Sequence, residues 1–167
     1  ITAGGRLVID AVTGVGNGAA IETTVASIDI DNATSGNIAI IETNAVTVFR
    51  AVQGTAGNIG IAAGGTITVA NGTTNNAITA AGSGTITLST SSGGDVLINS
   101  SIESVTGGIV VAANRVLTIA NGAVIDAGSG TIALQAQENI TLGQVTTKNT
   151  GTLPVQLTSP VGRILDG

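Results

Sequence analysis

The densest group of potential ligands in the chain is Asp29, Asp31 and Asn32, within SIDIDN at 27–32. In an extended strand Asp29 and Asp31 share one face, where together with backbone carbonyls they would offer the hard oxygen donors that Ca²⁺ takes. Read as plain structure, the same text is a solvated strand ending in an Asx turn. The D-x-[DN]-x-[DN]-G loop and the glycine-rich nonapeptide of calcium-binding rolls are both missing, so no metal ligand set is assigned.

Covalent and acid–base chemistry finds fewer handles. The ten carboxylates stand singly along the chain, and there is no His and no Cys. Ser and Thr are plentiful, but without a base or an SxxK or GxSxG pattern nothing activates a hydroxyl. Polysaccharide-cleaving β-helices need clustered carboxylates, usually with Lys or Arg and often with sugar-stacking rings. Here Phe49 is the single aromatic residue. The expectation is a non-enzyme with no catalytic residues, no cofactor and no metal. Phe49 and Arg50 break the alternation of VTVFRAV at 46–52, as a bulge or a covering side chain would. The cations Arg6, Arg50, Arg115, Lys148 and Arg163 form no cluster, which makes nucleic acid a poor partner for a chain of net charge −5. Sequons at Asn32, Asn71, Asn99 and Asn139 read as turn and strand residues.

The elements that would carry these residues are legible from composition. Hydrophobic residues make up 43% of the 167, yet they are almost entirely Ile, Val, Leu and Ala, with 25 Gly and no Met, Trp or Tyr. Such a core is narrow and regular, and helix is disfavoured almost throughout. Mean hydropathy is +0.51, but Thr, Asn, Ser and Gly interrupt every apolar run, so no membrane insertion is expected. The chain opens at Ile1 with no signal-like leader and reads as an internal piece or a processed product.

Internal repetition is the strongest signal. ITVANG at 67–72 returns as LTIANG at 117–122, and AGSGTITL at 81–88 returns as AGSGTIAL at 127–134. SGNIAI at 35–40 and AGNIGI at 56–61 suggest a period of about 20 residues. TITV at 66–69 and TITL at 85–88 fit the same period. Alternation predicts that Ile28/Ile30, Ile38/Ile40, Ile59/Ile61, Ile67/Val69, Ile86/Leu88, Leu117/Ile119, Ile132/Leu134 and Ile140/Leu142 point inward. Asp29, Thr68, Thr87, Thr118, Thr141 and Gln156 would then point out. Asn-Gly, Gly-Ser-Gly and Gly-Gly between the strands supply corners, and Pro154 and Pro160 confine the strand between them to an edge or a loop-bounded position. An antiparallel sandwich would recur every 8–12 residues around aromatic rings. The expected fold is all-β: a right-handed parallel β-helix (β-solenoid) of roughly eight coils of about 20–21 residues, a rod about 40 Å long, with 1–167 forming one solenoid segment.

The phrases GNIAI, GNIGI, TAAGSGTITLST, GGDVLINSSI and ENITLG resemble the haemagglutination-activity and filamentous haemagglutinin-like repeats of large Gram-negative exoproteins, many exported by two-partner secretion. The resemblance covers most of the chain and lies in texture and repeated phrases, not in a catalytic motif. It implies a β-helical shaft folded outside the cell, at the bacterial surface, holding adhesive or toxic domains away from it. Host-cell or matrix ligands would then bind regions outside this segment.

The function expected is therefore that of a structural stalk of a secreted adhesin, stacking axially head to tail with further repeats or other copies. A binding-module alternative is an ice-binding or carbohydrate-binding solenoid, for which Thr66/Thr68 and Thr85/Thr87 would stack on successive coils. An ordered Thr array over many coils is missing. A polysaccharide lyase or hydrolase is the remaining alternative.

Overall fold

A computed structural model of the chain describes residues 1–70 and 76–167. The described residues form 19 strands and no helix, arranged in two parallel sheets that together make a β-solenoid of about seven turns. Sheet 2, with seven strands, takes β2 (Ile21–Thr23), β4 (Ile38–Glu42), β6 (Ile59–Ala63), β9 (Ile86–Thr90), β12 (Ile109–Ala113), β15 (Ile132–Ala136) and β18 (Val155–Thr158). Sheet 1 begins with β1 (Arg6–Ala11), β3 (Ser27–Asn32) and β5 (Val46–Gln53). Beyond β5 it divides. One run carries β7 (Ile67–Val69), β10 (Val96–Ile98), β13 (Leu117–Ile119), β16 (Ile140–Leu142) and β19 (Ile164–Asp166). The other carries β8 (Asn76–Ala80), β11 (Ser101–Ser104), β14 (Val124–Asp126) and β17 (Gln144–Thr146).

The two sheets enclose a core of stacked aliphatic columns. Ile38, Ile59, Ile86, Ile109, Ile132 and Val155 succeed one another in register, and the first five are fully buried. Every residue expected inside is buried except Leu142, which is half-buried in the last coils. Uniform aliphatic ladders suit this geometry because each side chain meets near-copies of itself above and below, with β-branched residues fitting the pleated surface.

The period departs from expectation. Stacked positions recur at 19 to 29 residues, as between Ile21 and Ile40, Asn37 and Asn58, Ser101 and Val124, and Ile67 and Val96. Seven turns therefore replace the eight expected, and the rod is nearer about 30 Å at the interstrand spacing. The extra residues fall largely on sheet 1, where most coils spend two short strands and the bend between them. The TITV and TITL phrases are also reassigned. Ile67 lies in sheet 1 and Ile86 in sheet 2, so these phrases belong to opposite walls and do not stack. Asn71 and Gly72, read as a turn at the end of ITVANG, lie outside the described residues.

A glycine stands two residues before the first core Ile of each central sheet 2 strand, at Gly36, Gly57, Gly84, Gly107 and Gly130. A Cβ at each of the last four would collide with the backbone carbonyl of the glycine one coil below. The G-x-I phrase is thus a stacking requirement at a tight corner, where successive backbones approach too closely for any side chain. At the first two of these corners the intervening Asn adds a ladder of its own. Asn37 Oδ1 accepts from the Asn58 N–H, and Asn58 Oδ1 from the Thr85 N–H, each at 2.9 Å.

Candidate functional site

The residues singled out for chemistry meet on the outer surface of sheet 1, across β1, β3 and β5. Ile28 pairs with Val48 but Asp29 pairs with Arg50, so Phe49 is an extra residue and the strand bulges there. The bulge turns Phe49 and Arg50 outward together, between the inward Val48 and Ala51. Asp29 and Asp31, outward on alternate positions of β3, lie one coil below Arg50.

Arg50 spans both carboxylates. Its Nε donates to Asp29 Oδ1 and its Nη1 to Asp31 Oδ2, each at 2.7 Å. Nη2 also lies 3.7 Å from Asp10 Oδ1, and Arg6 lies 3.7 Å from the second oxygen of Asp29. The Arg6 guanidinium stacks over Phe49, 4.0 Å from the ring centroid. The hydrogen bond that Arg50 donates to Asp29 holds its guanidinium more firmly protonated than usual, outweighing its partial burial, with the charges of Asp29, Asp31 and Asp10 adding to the effect. The pair of aspartates that resembles half a cation site therefore faces a guanidinium, which takes the place a cation would fill. Three carboxylates against two guanidiniums leave the group close to neutral, and with Arg50 29% and Asp29 23% exposed its work is structural clamping of the first three coils. A second pair, Arg115 with Asp95, bridges two later coils at 2.5 Å, while the other Asp95 oxygen accepts the Val116 N–H.

Buried polar residues escaped the sequence reading. Glu42 is only 1% exposed. Its Oε2 accepts from the Thr23 hydroxyl at 2.7 Å and the Val25 N–H at 3.0 Å, and its Oε1 from the Asn44 N–H at 3.2 Å. Asn32 and Gln53 are stacked partners with no exposed surface, and the Asn32 amide donates to Gln53 Oε1. Asn32 Oδ1 accepts from Gly14, and Gln53 Nε2 donates to the carbonyls of Thr34 and Ala56. Ser104 serves the same corner two coils on, donating to Gly84 O and accepting from Gly107 N. The signal was present in the alternation, because Glu42 shares the phase of Ile38 and Ile40, Asn32 that of Ile28 and Ile30, and Ser104 that of Ile102. Each sits at the end of a strand, where an inward polar group satisfies the turn that follows. Among the described residues no buried side-chain nitrogen or oxygen lacks a partner.

The remaining expectations sort by position. Thr68 stacks between Thr47 and Leu97, and Thr87 between Gly60 and Val110, so Thr66/Thr68 and Thr85/Thr87 do not stack on one another, and the Thr pairs that do form, Thr47 with Thr68 and Thr118 with Thr141, are separated by Leu97. Asn32, as a sequon, is wholly buried, whereas Asn99 is exposed and Asn139 Oδ1 accepts from Arg163 N; Asn71 lies outside the described residues. Pro154 precedes β18, and its carbonyl accepts from Ile132, so its missing N–H costs the ladder to β15 nothing. Among the described residues no three of His, Cys, Asp and Glu converge in a metal-binding arrangement. No protein-family model, no curated protein and no solved structure matches this chain.

Proposed function

We propose that the chain is a shaft segment: a structural stalk within a large secreted bacterial surface protein of the filamentous haemagglutinin-like kind, extended by axial stacking and without enzymatic activity. The observation that supports this reading is the open stack. β1 and β2 at one end, and β17, β18 and β19 at the other, each pair on one side only. Core columns that are fully closed in the middle end in half-buried or exposed side chains, at Leu7, Ile9 and Ile21 on one side and Val145, Leu157 and Ile164 on the other. Unpaired strand edges and open apolar columns together favour another coil, from the same chain or a second copy. Head-to-tail addition of this kind does not close on itself and yields a rod.

A location outside the cell, and adhesive ligands held by other regions, belong to the same proposal and rest on the repeat phrases. The test is direct. Sedimentation and electron microscopy over a range of concentrations should show end-to-end oligomers of constant width. A monomer that persists to millimolar concentration would overturn axial stacking.

A further inference from the structure

We infer that the outward face of sheet 2 is a lateral interface that receives the same face of a second copy. The first reason is the distribution of charge. From β4 to β18 the outward residues, Ala39 through Thr158, include no charged group. Glu42 is turned into the core, and Glu22 sits on β2 at the edge of the face. The remaining charged residues lie on sheet 1, at corners or in connections. Two chains of net charge −5 can therefore meet through this face without bringing like charges together, whereas a charged partner would find no counter-charge there.

The second reason is relief. Of the large apolar side chains exposed between residues 38 and 136, Ile41 (47%) and Val110 (38%) stand on this face, and Val105 stands at a corner. Each rises beside a hollow floored by small residues, Ala39 and Ala62 beside Ile41, and Ala112 and Ala133 beside Val110. The ladder beneath runs without a bulge from β4 to β18. A second copy presents the same knobs and hollows on the same strand spacing, which is the condition for two sheets to interdigitate. A sugar polymer is less well served, because the one aromatic ring, Phe49, lies on sheet 1.

The area decides how strong this contact is. Six strands at about 4.8 Å and five residues at about 3.3 Å give roughly 500 Å² per copy. The total is close to about 1,000 Å², the lower bound for a specific interface. One segment pairs weakly, and a longer shaft adds contacts in proportion to its length. Unlike axial stacking, this pairing is isologous and stops at two.

The chain has no cysteine, so single-cysteine variants report position cleanly. Thr87→Cys lies on β9, the middle strand of sheet 2, and Thr118→Cys lies outward on sheet 1. In a lateral pair the two Thr87 positions oppose each other whether the shafts run parallel or antiparallel, and in a purely axial rod they are about 30 Å apart. A short bismaleimide should link Thr87→Cys roughly tenfold faster than Thr118→Cys. Adding Ile41→Arg, or in a separate coil Val110→Arg, should lower the rate to that of Thr118→Cys without moving the urea midpoint. Equal rates for the two cysteines at all concentrations would overturn the inference. Rods that form without Thr87 linkage would leave the shaft standing and remove lateral pairing; Thr87 linkage in short particles would do the reverse.

Discussion

The two walls of this solenoid are built to different tolerances. From β4 to β15 every strand of sheet 2 has five residues, in unbroken register, with a G-x-I entry and an uncharged outer face. Sheet 1 bulges at Phe49, shifts register again between Ser101 and Ile102, divides into two runs and carries the ion pairs. One wall keeps the stacking distance, and the other absorbs irregularity. Both hold the same kind of core, so what separates them is where the chain can change length without disturbing the next coil.

The largest expected effect is on the inner surface of the regular wall. Ile86→Asp places a charge with no partner between Ile59 and Ile109, and should cost about 5 kcal/mol in chemical denaturation. Next comes Gly107→Ala, whose Cβ would meet the Gly84 carbonyl; separating the coils there should cost about 3 kcal/mol. A loss below about 1 kcal/mol would show that the regular wall is as adaptable as sheet 1.

On the irregular wall the inner polar corner comes first. Gln53→Leu removes the Gln53 acceptor from the Asn32 amide, which keeps Ser35 and Gly36, and the Gln53 donor from the carbonyls of Thr34, which keeps Thr55, and Ala56; the loss should be about 1.5 kcal/mol by the same measurement. Arg50→Ala leaves Asp10, Asp29 and Asp31 facing one another with only Arg6 nearby, which should cost about 1 kcal/mol at low salt and less at 1 M. Thr87→Asp, on the outer face of sheet 2, should change stability by less than about 0.5 kcal/mol, even though it would set two like charges against each other in a lateral pair. Comparable losses from Ile86→Asp and Thr87→Asp would sink the inward and outward assignment itself.

Much of this was legible because alternation has a period of two and each aliphatic column repeats one residue type. Ile67, Ile86, Leu117 and Ile132 are placed correctly by that rule alone. The period was underestimated because SGNIAI and AGNIGI come from one of the shorter coils, and because TITV and TITL look alike while belonging to different walls. The aspartate pair was found, but its partner was not. Arg50 is 21 residues beyond Asp29, and only stacking, with a bulge that shifts it by one position, brings the two into contact. Glu42 and Gln53 were passed over because a polar residue in inward phase reads as the end of a strand, which it also is.

The ladders also set how the molecule answers a pull. The hydrogen bonds between coils run along the long axis of the stack, as in the Ile38 N–H donating to Asn58 O and the Ile59 N–H to Thr85 O. Tension applied at opposite ends therefore opens those bonds in sequence instead of shearing them together, and it peels one coil before loading the next. Each coil that detaches releases 19 to 29 residues of chain, about 6 to 10 nm when extended. A solenoid of this construction lengthens in discrete steps, dissipating load coil by coil while the undetached part keeps its cross-section.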